Sequence, residues 1–200
     1  GNIGIPMMDF AAKTSDDSVQ VLEVSSFQLE TISDFTPDIA MITNFFENHL
    51  DRYPSYRAYI DAKKRIALNM GPKHWLILNA DQQSMREMAG QVRCRTAWFG
   101  WDTGELFPCV TICNERFVYV DENQKRHDLF PVSSVKLIGG HNLENVMAAA
   151  LAAILAGVET KNLEKVVKEF PGVEHRLEWV ADVSGVTFIN DSKGTNCAAS

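Results

Sequence analysis

Cysteine is sparse and poorly spaced for its usual tasks. Cys94, Cys109, Cys113 and Cys197 are the four cysteines of the 200-residue chain; they form no CxxC pair and have no histidine at zinc-finger spacing. That pattern excludes a structural zinc site and thioredoxin-type redox chemistry. The four are read as plain buried thiols in a reducing compartment, with Cys109 and Cys113 on one face of a strand. Long apolar runs are lacking too. The most apolar stretch, around Val146 to Val158, is too short for a bilayer span, and no basic-then-apolar leader opens the chain, so a cytoplasmic protein with no membrane partner is expected. Basic side chains are outnumbered, 19 against 26 acidic, for a formal charge of -7, which argues against nucleic acid as a partner because phosphate neutralisation needs clustered Lys and Arg. There is no internal repeat, no low-complexity segment, no strand-GxGxxG-helix fingerprint of a dinucleotide-dependent oxidoreductase and no GxxxxGK[ST] phosphate loop.

What the chain does have is the composition of a folded domain, 46% hydrophobic and 22% charged. Three short apolar runs, VQVLEV (19–24), DIAMITN (38–44) and HWLILN (74–79), end on a polar side chain or a turn. Runs of this kind suit strands covered on both faces. Helical patterns, 26–33 and 55–70, lie between them, which predicts βαβαβ and a parallel sheet. The grammar changes from Glu105 to Pro131, where β-rich pieces alternate with the polar turns Asn114-Glu115 and Asp121 to Lys125, predicting an antiparallel extension. Gly139-Gly140 opens a long helix closed by Gly157; a second helix runs from about Lys161 to Phe170; the tail reads as two strands joined at Ser184-Gly185. The expected fold class is therefore α/β: three layers, a mainly parallel sheet with helices on both faces, and a small antiparallel β extension.

Open parallel sheets bind ligands at the carboxyl ends of their strands, so Glu23, Asn44 and Asn79 are expected to gather along one edge. Glu23 is either an edge glutamate paired with a lysine or, since a hard cation prefers carboxylate oxygen, a magnesium ligand. His49, in the loop after the second run, reads as a loop residue or a ligand; Lys63, followed by Lys64 and Arg65, reads as part of a solvated basic face or as something more specific. Asn142 and Asn145 share one face of the first turn of a helix that glycines open, an arrangement suited to anions. Arg176 is equipped for bidentate contact with phosphate or carboxylate, and Asp191, Ser192, Lys193 and Thr195 crowd more polar groups at a strand end than a turn requires.

Taken in order, GNIGIP, LEVSSFQLE, NHLDRY with AKKRI downstream, GGHNLENVMAA, HRLE and NDSKGTN closely resemble the Mur ligases, and among them the member that adds D-glutamate. The resemblance implies an enzyme of peptidoglycan synthesis. ATP phosphorylates the carboxylate of UDP-N-acetylmuramoyl-L-alanine, the amine of D-glutamate attacks the acyl phosphate, and the tetrahedral intermediate collapses to amide, ADP and phosphate. It also implies residue roles. Glu23, His49 and a carboxylated Lys63 would bind Mg2+; His49, Asn2, Ser25 and Thr195 would contact substrate; Asn142, Asn145, Arg176 and Asp191 would contact ATP; Lys193 would lie close to the γ-phosphate. On the same basis residues 1–173 are expected to be the central ATPase domain without its phosphate-loop segment and 174–200 the start of a C-terminal domain, in a monomer. The chain thus reads as a fragment that is inactive alone. Asn48 departs from the acid that many relatives carry before the histidine. Another Mur-type or folylpolyglutamate-type ligase, or a non-catalytic nucleotide-binding module on the same scaffold, are the alternatives.

Overall fold

The computed structural model describes residues 6, 9, 13–46 and 52–194. Its frame is a six-stranded sheet in the order β1-β2-β3-β4-β5-β6, formed by Ile39–Ile42, Trp75–Asn79, Arg95–Phe99, Cys109–Cys113, Arg116–Val120 and Arg126–Pro131. The pairings β1·β2, β2·β3 and β3·β4 are parallel, whereas β4·β5 and β5·β6 are antiparallel. The expected parallel sheet with an antiparallel extension is present, and β4 is the strand where one regime passes into the other. Residues Asn114 and Glu115, both at positive φ (50° and 57°), make the tight β4–β5 turn whose backbone twist matches that of the strands. The Asp121 carboxylate organises the next turn by accepting from the Asn123 and Lys125 amides at 2.9 and 3.0 Å.

Alternation along the strands sends their side chains to two separate cores. Ala40, Ile42, Leu76, Leu78 and Trp98 face Ala67, Met70, Met85 and Met88. On the opposite face Ile77, Ala97, Phe99, Val110, Phe117 and Phe130 meet Met147, Ala148 and Leu151 of α4 (Gly140–Leu155). Sheets sandwiched in this way explain the near-continuous apolar runs of β1 and β2. The first face is covered by α2 (Tyr56–Lys64), a 3-10 turn at Arg65–Ala67 and α3 (Gln83–Ala89). Helix α2 starts at the Ser55 cap, whose hydroxyl accepts from the Ala58 amide at 3.2 Å.

Several expectations are corrected. Residues 19–24 form no strand: Val19 and Val21 are exposed, and a strand needs a neighbour to take its backbone hydrogen bonds, which no described segment supplies. The helix expected at 26–33 is only α1 (Ser26–Leu29), capped reciprocally by Ser25 and Gln28, and its end is held from outside by Arg65. The 55–70 helix tightens into the 3-10 turn after Lys64. The second late helix is a 3-10 turn, Thr160–Asn162, followed by α5 (Leu163–Glu169). Helix α3 and strand β3, absent from the sequence reading, complete the parallel core. Among the described cysteines only Cys109 is buried, with Cys94 and Cys113 partly exposed and all three free thiols; Cys197 lies outside the described residues.

The tail forms a separate two-stranded antiparallel sheet, β7 (Glu178–Val183) and β8 (Val186–Asn190), joined at Ser184-Gly185 as expected. Among the described residues no helix is long and apolar enough to cross a membrane.

Candidate functional site

Parallel strands deliver their last residues to one edge, and in this sheet those at the ends of β1 and β2 are polar. Thr43 and Asn44 follow β1, Asn79 ends β2, and Gly100 and Trp101 follow β3. Asn79 is buried at 3% exposure and links the residue after β1 to Asp81 and to α4. Its Nδ2 donates to the Thr43 carbonyl at 3.4 Å and to Glu144 Oε2 of α4 at 3.3 Å, while its Oδ1 accepts from the Asp81 amide at 2.9 Å. The Asp81 carboxylate then accepts from the Trp101 and Asp102 amides at 2.8 and 3.0 Å. Gly100 is required here: its φ is +152° and a Cβ would stand 2.7 Å from Asp81 Oδ2.

Helix α4 enters this edge from Gly139, whose φ of +99° and packing against the His141 ring, 2.8 Å from where a Cβ would stand, admit only glycine. Asn142 is buried and spans the entry, its Nδ2 donating to the Ile138 carbonyl at 2.7 Å; Asn145 Nδ2 donates to Asn142 Oδ1 at 3.4 Å. The two asparagines share a face, as the spacing predicts, and Gly139 takes the cap position.

Lys63 sits on the last turn of α2. Its Nζ donates to the Asn44 carbonyl at 3.4 Å and lies 4.9 Å from the centre of the Tyr59 ring, so the amine is turned to the carboxyl end of β1 and is not part of a solvated basic face. Burial pushes its pKa below the usual lysine range, which favours the neutral amine. Arg65 is likewise engaged, donating to the Leu29 and Ile32 carbonyls at 2.8 and 3.0 Å and so locking α1 onto α2. Phe27 of α1 packs with Tyr53 and Tyr59, the ring beneath Lys63. Ser25 is therefore placed as the N-cap of a helix that docks beside Lys63, and Glu23 is an exposed residue two positions upstream, outside helix and strand.

The structure thus brings together Asn44, Lys63, Asn79 and the asparagines of α4. The contacts of the tail candidates are made within the tail. Arg176 is exposed beside the β7–β8 sheet, and Lys193 is exposed with its amide donating to the His175 carbonyl at 3.0 Å. Asp191 accepts from the Leu177 amide at 3.1 Å through Oδ1, and its Oδ2 is enclosed without a hydrogen-bond partner. Asn2, His49 and Thr195 lie outside the described residues, and no group of three His, Cys, Asp or Glu suited to a metal occurs among the described ones. Sequence reading missed Asp81, Trp101 and Glu144. Only the acid directly after Asn79-Ala80 was a visible signal for any of them.

The Mur ligase middle domain matches residues 1–153. The chain is 41% identical over 199 residues to UDP-N-acetylmuramoylalanine--D-glutamate ligase of Koribacter versatilis, covering 100% of this chain and 44% of that protein. It is 35% identical over 200 residues to the enzyme of the same name from Alkaliphilus metalliredigens, again covering 100% of this chain and 44% of that protein. The chain therefore spans less than half the length of these curated relatives. Among solved structures, MurF from Acinetobacter baumannii aligns over 82% of this chain and 35% of that one with a TM-score of 0.61 and 19% identity, a likeness of fold.

Proposed function

The chain belongs to the Mur ligase family, and from that premise we propose that it is the central segment of an ATP-dependent ligase that joins D-glutamate to UDP-N-acetylmuramoyl-L-alanine. The names of its relatives support this substrate pair. The observation that carries the reading is Lys63: a lysine turned from solvent toward the Asn44 carbonyl, with its pKa lowered by burial, at the carboxyl edge of a parallel sheet.

The donors suit a hard cation. Glu23 offers carboxylate oxygen, and a neutral Lys63 amine adds to carbon dioxide with loss of one proton to give an anionic carbamate; His49 completes the proposed set. Bound magnesium would supply charge screening between nucleotide and acceptor. The residues do the rest. Asn142 and Asn145 would hold the nucleotide at the opening turn of α4, and Arg176 and Asp191 would serve its phosphate and ribose and Lys193 its γ-phosphate once the tail is brought to that edge. Asn2, Ser25, His49 and Thr195 contact the sugar nucleotide and D-glutamate. The acceptor carboxylate, phosphorylated by ATP with release of ADP, would then be attacked by the D-glutamate amine, which forms the amide and expels phosphate.

Residues 1–173 are proposed as the central domain and 174–200 as the first strands of the next, in a cytoplasmic monomer. Because no GxxxxGK[ST] loop occurs within the 200 residues, the segment alone is proposed to have no ligase turnover. A coupled phosphate-release assay on the full-length enzyme tests the reading. D-glutamate should support turnover where L-lysine, diaminopimelate and L-glutamate do not. Lys63→Ala should lower turnover at least about 100-fold, within the range for losing a group that stabilises transferring charge. Unchanged turnover in that variant, with or without bicarbonate, removes Lys63 from the site.

A further inference from the structure

Trp101 is 47% exposed, yet it is held at three points. Its amide donates to Asp81 Oδ2 at 2.8 Å, its carbonyl accepts from Thr111 Oγ1 at 3.4 Å, and its indole Nε1 donates to Glu144 Oε1 at 2.9 Å. The ring lies against the start of α4, with Cζ2 3.9 Å from where a Gly140 Cβ would stand. An exposed tryptophan usually keeps its rotamer freedom, and one that is fixed presents a pre-oriented aromatic face at little further entropic cost on binding. The groups that fix it also set what that face accepts. The Glu144 carboxylate bonded to the indole disfavours phosphate beside the ring, whereas an uncharged heteroaromatic base meets no such penalty. Asn145, directly after Glu144 and exposed, carries an amide group of the type that reads a base edge, and its Nδ2 is positioned by Asn142 Oδ1.

We propose that Trp101 is a base-binding residue, its clamped indole being the platform on which the purine of ATP stacks. This rests on the ATP-dependent reading of the same edge and adds a base site that neither Asn142 nor Asn145 requires. Isothermal titration of the full-length enzyme with ADP, inorganic tripolyphosphate and UDP tests it, using Trp101→Phe and Trp101→Leu beside the native protein. One base–aromatic stack lost corresponds to an ADP Kd about 10- to 100-fold higher in Trp101→Leu. Trp101→Phe, which keeps a π face, should stay within about threefold of native. Tripolyphosphate and UDP affinities should not change in either variant. Equal ADP affinity in Trp101→Leu and native protein overturns the proposal while leaving the ligase reading intact. So does a loss shared with tripolyphosphate, or one that falls on UDP alone. A native enzyme that binds neither ADP nor tripolyphosphate overturns the ligase reading along with it.

Discussion

Replacing Asn79 with alanine should separate the parts of the site by a measurable amount. The side chain is buried at 3% exposure and makes three hydrogen bonds, to the Asp81 amide, the Thr43 carbonyl and Glu144 Oε2. A neutral bond of this kind is worth about 1 kcal/mol net, and one to a charged group about 1.5–3 kcal/mol. The two Nδ2 bonds are long, at 3.4 and 3.3 Å, so the low end applies to both. The sum is about 2–4 kcal/mol, most of it arising because the Asp81 amide loses its acceptor and the Glu144 carboxylate its donor. Urea unfolding followed by far-UV circular dichroism reads this as a lower midpoint at constant slope. The companion variant Asn79→Asp keeps the volume but points an acceptor at two acceptors. Its new carboxyl, pushed up by Glu144, binds a proton more readily folded than unfolded. Stability is then present at low pH and lost as pH rises through the raised value, so the variant should lie nearest the wild type near pH 4 and furthest from it at neutrality. A loss below about 1 kcal/mol for Asn79→Ala, or a pH-independent deficit for Asn79→Asp, would refute the view that this residue joins the sheet edge to α4.

Two further variants probe the frame around that edge. Because burial lowers the Lys63 pKa, the unfolded chain binds more protons than the folded one between the lowered and the ordinary lysine value, and wild-type stability rises with pH across that window. Lys63→Met lacks this slope; its advantage over the wild type should be greatest at neutral pH and shrink as pH approaches the lysine range, and parallel urea midpoints across a pH series would sink the idea. Phe117 is fully buried with its ring centre 4.7 Å from that of Phe130, so Phe117→Ala should lose about 3–5 kcal/mol in the same denaturation assay; a loss under about 1 kcal/mol would show that the face under α4 is not packed as described.

Much of the fold was legible because its signals are local. Strands β1 and β2 are compact apolar runs ended by polar residues, and α4 carries glycines at its start and just after its end. Helix α3 and strand β3 were not, since Gln83–Ala89 and Arg95–Phe99 mix polar and apolar residues without a clean period. The segment 19–24 has the pattern of a strand but not its structure, because pattern reports burial potential while a strand also needs a pairing partner. The candidate site divides in the same way. Lys63 was picked out by the resemblance, whereas its orientation toward Asn44 follows from α2 packing on the sheet.

By itself the amino-acid sequence determined the fold class, the family and the polar residues that end the strands, because these depend on short-range periodicity and on motif order along the chain. Only the tertiary structure decided which of those residues meet. The contacts from Asn79 and Trp101 to Glu144 span 65 and 43 residues, and sequence separation carries no record of them. They exist because parallel strands end together at one edge, and α4, packed across the sheet by Met147, Ala148 and Leu151, brings its opening turn to that edge.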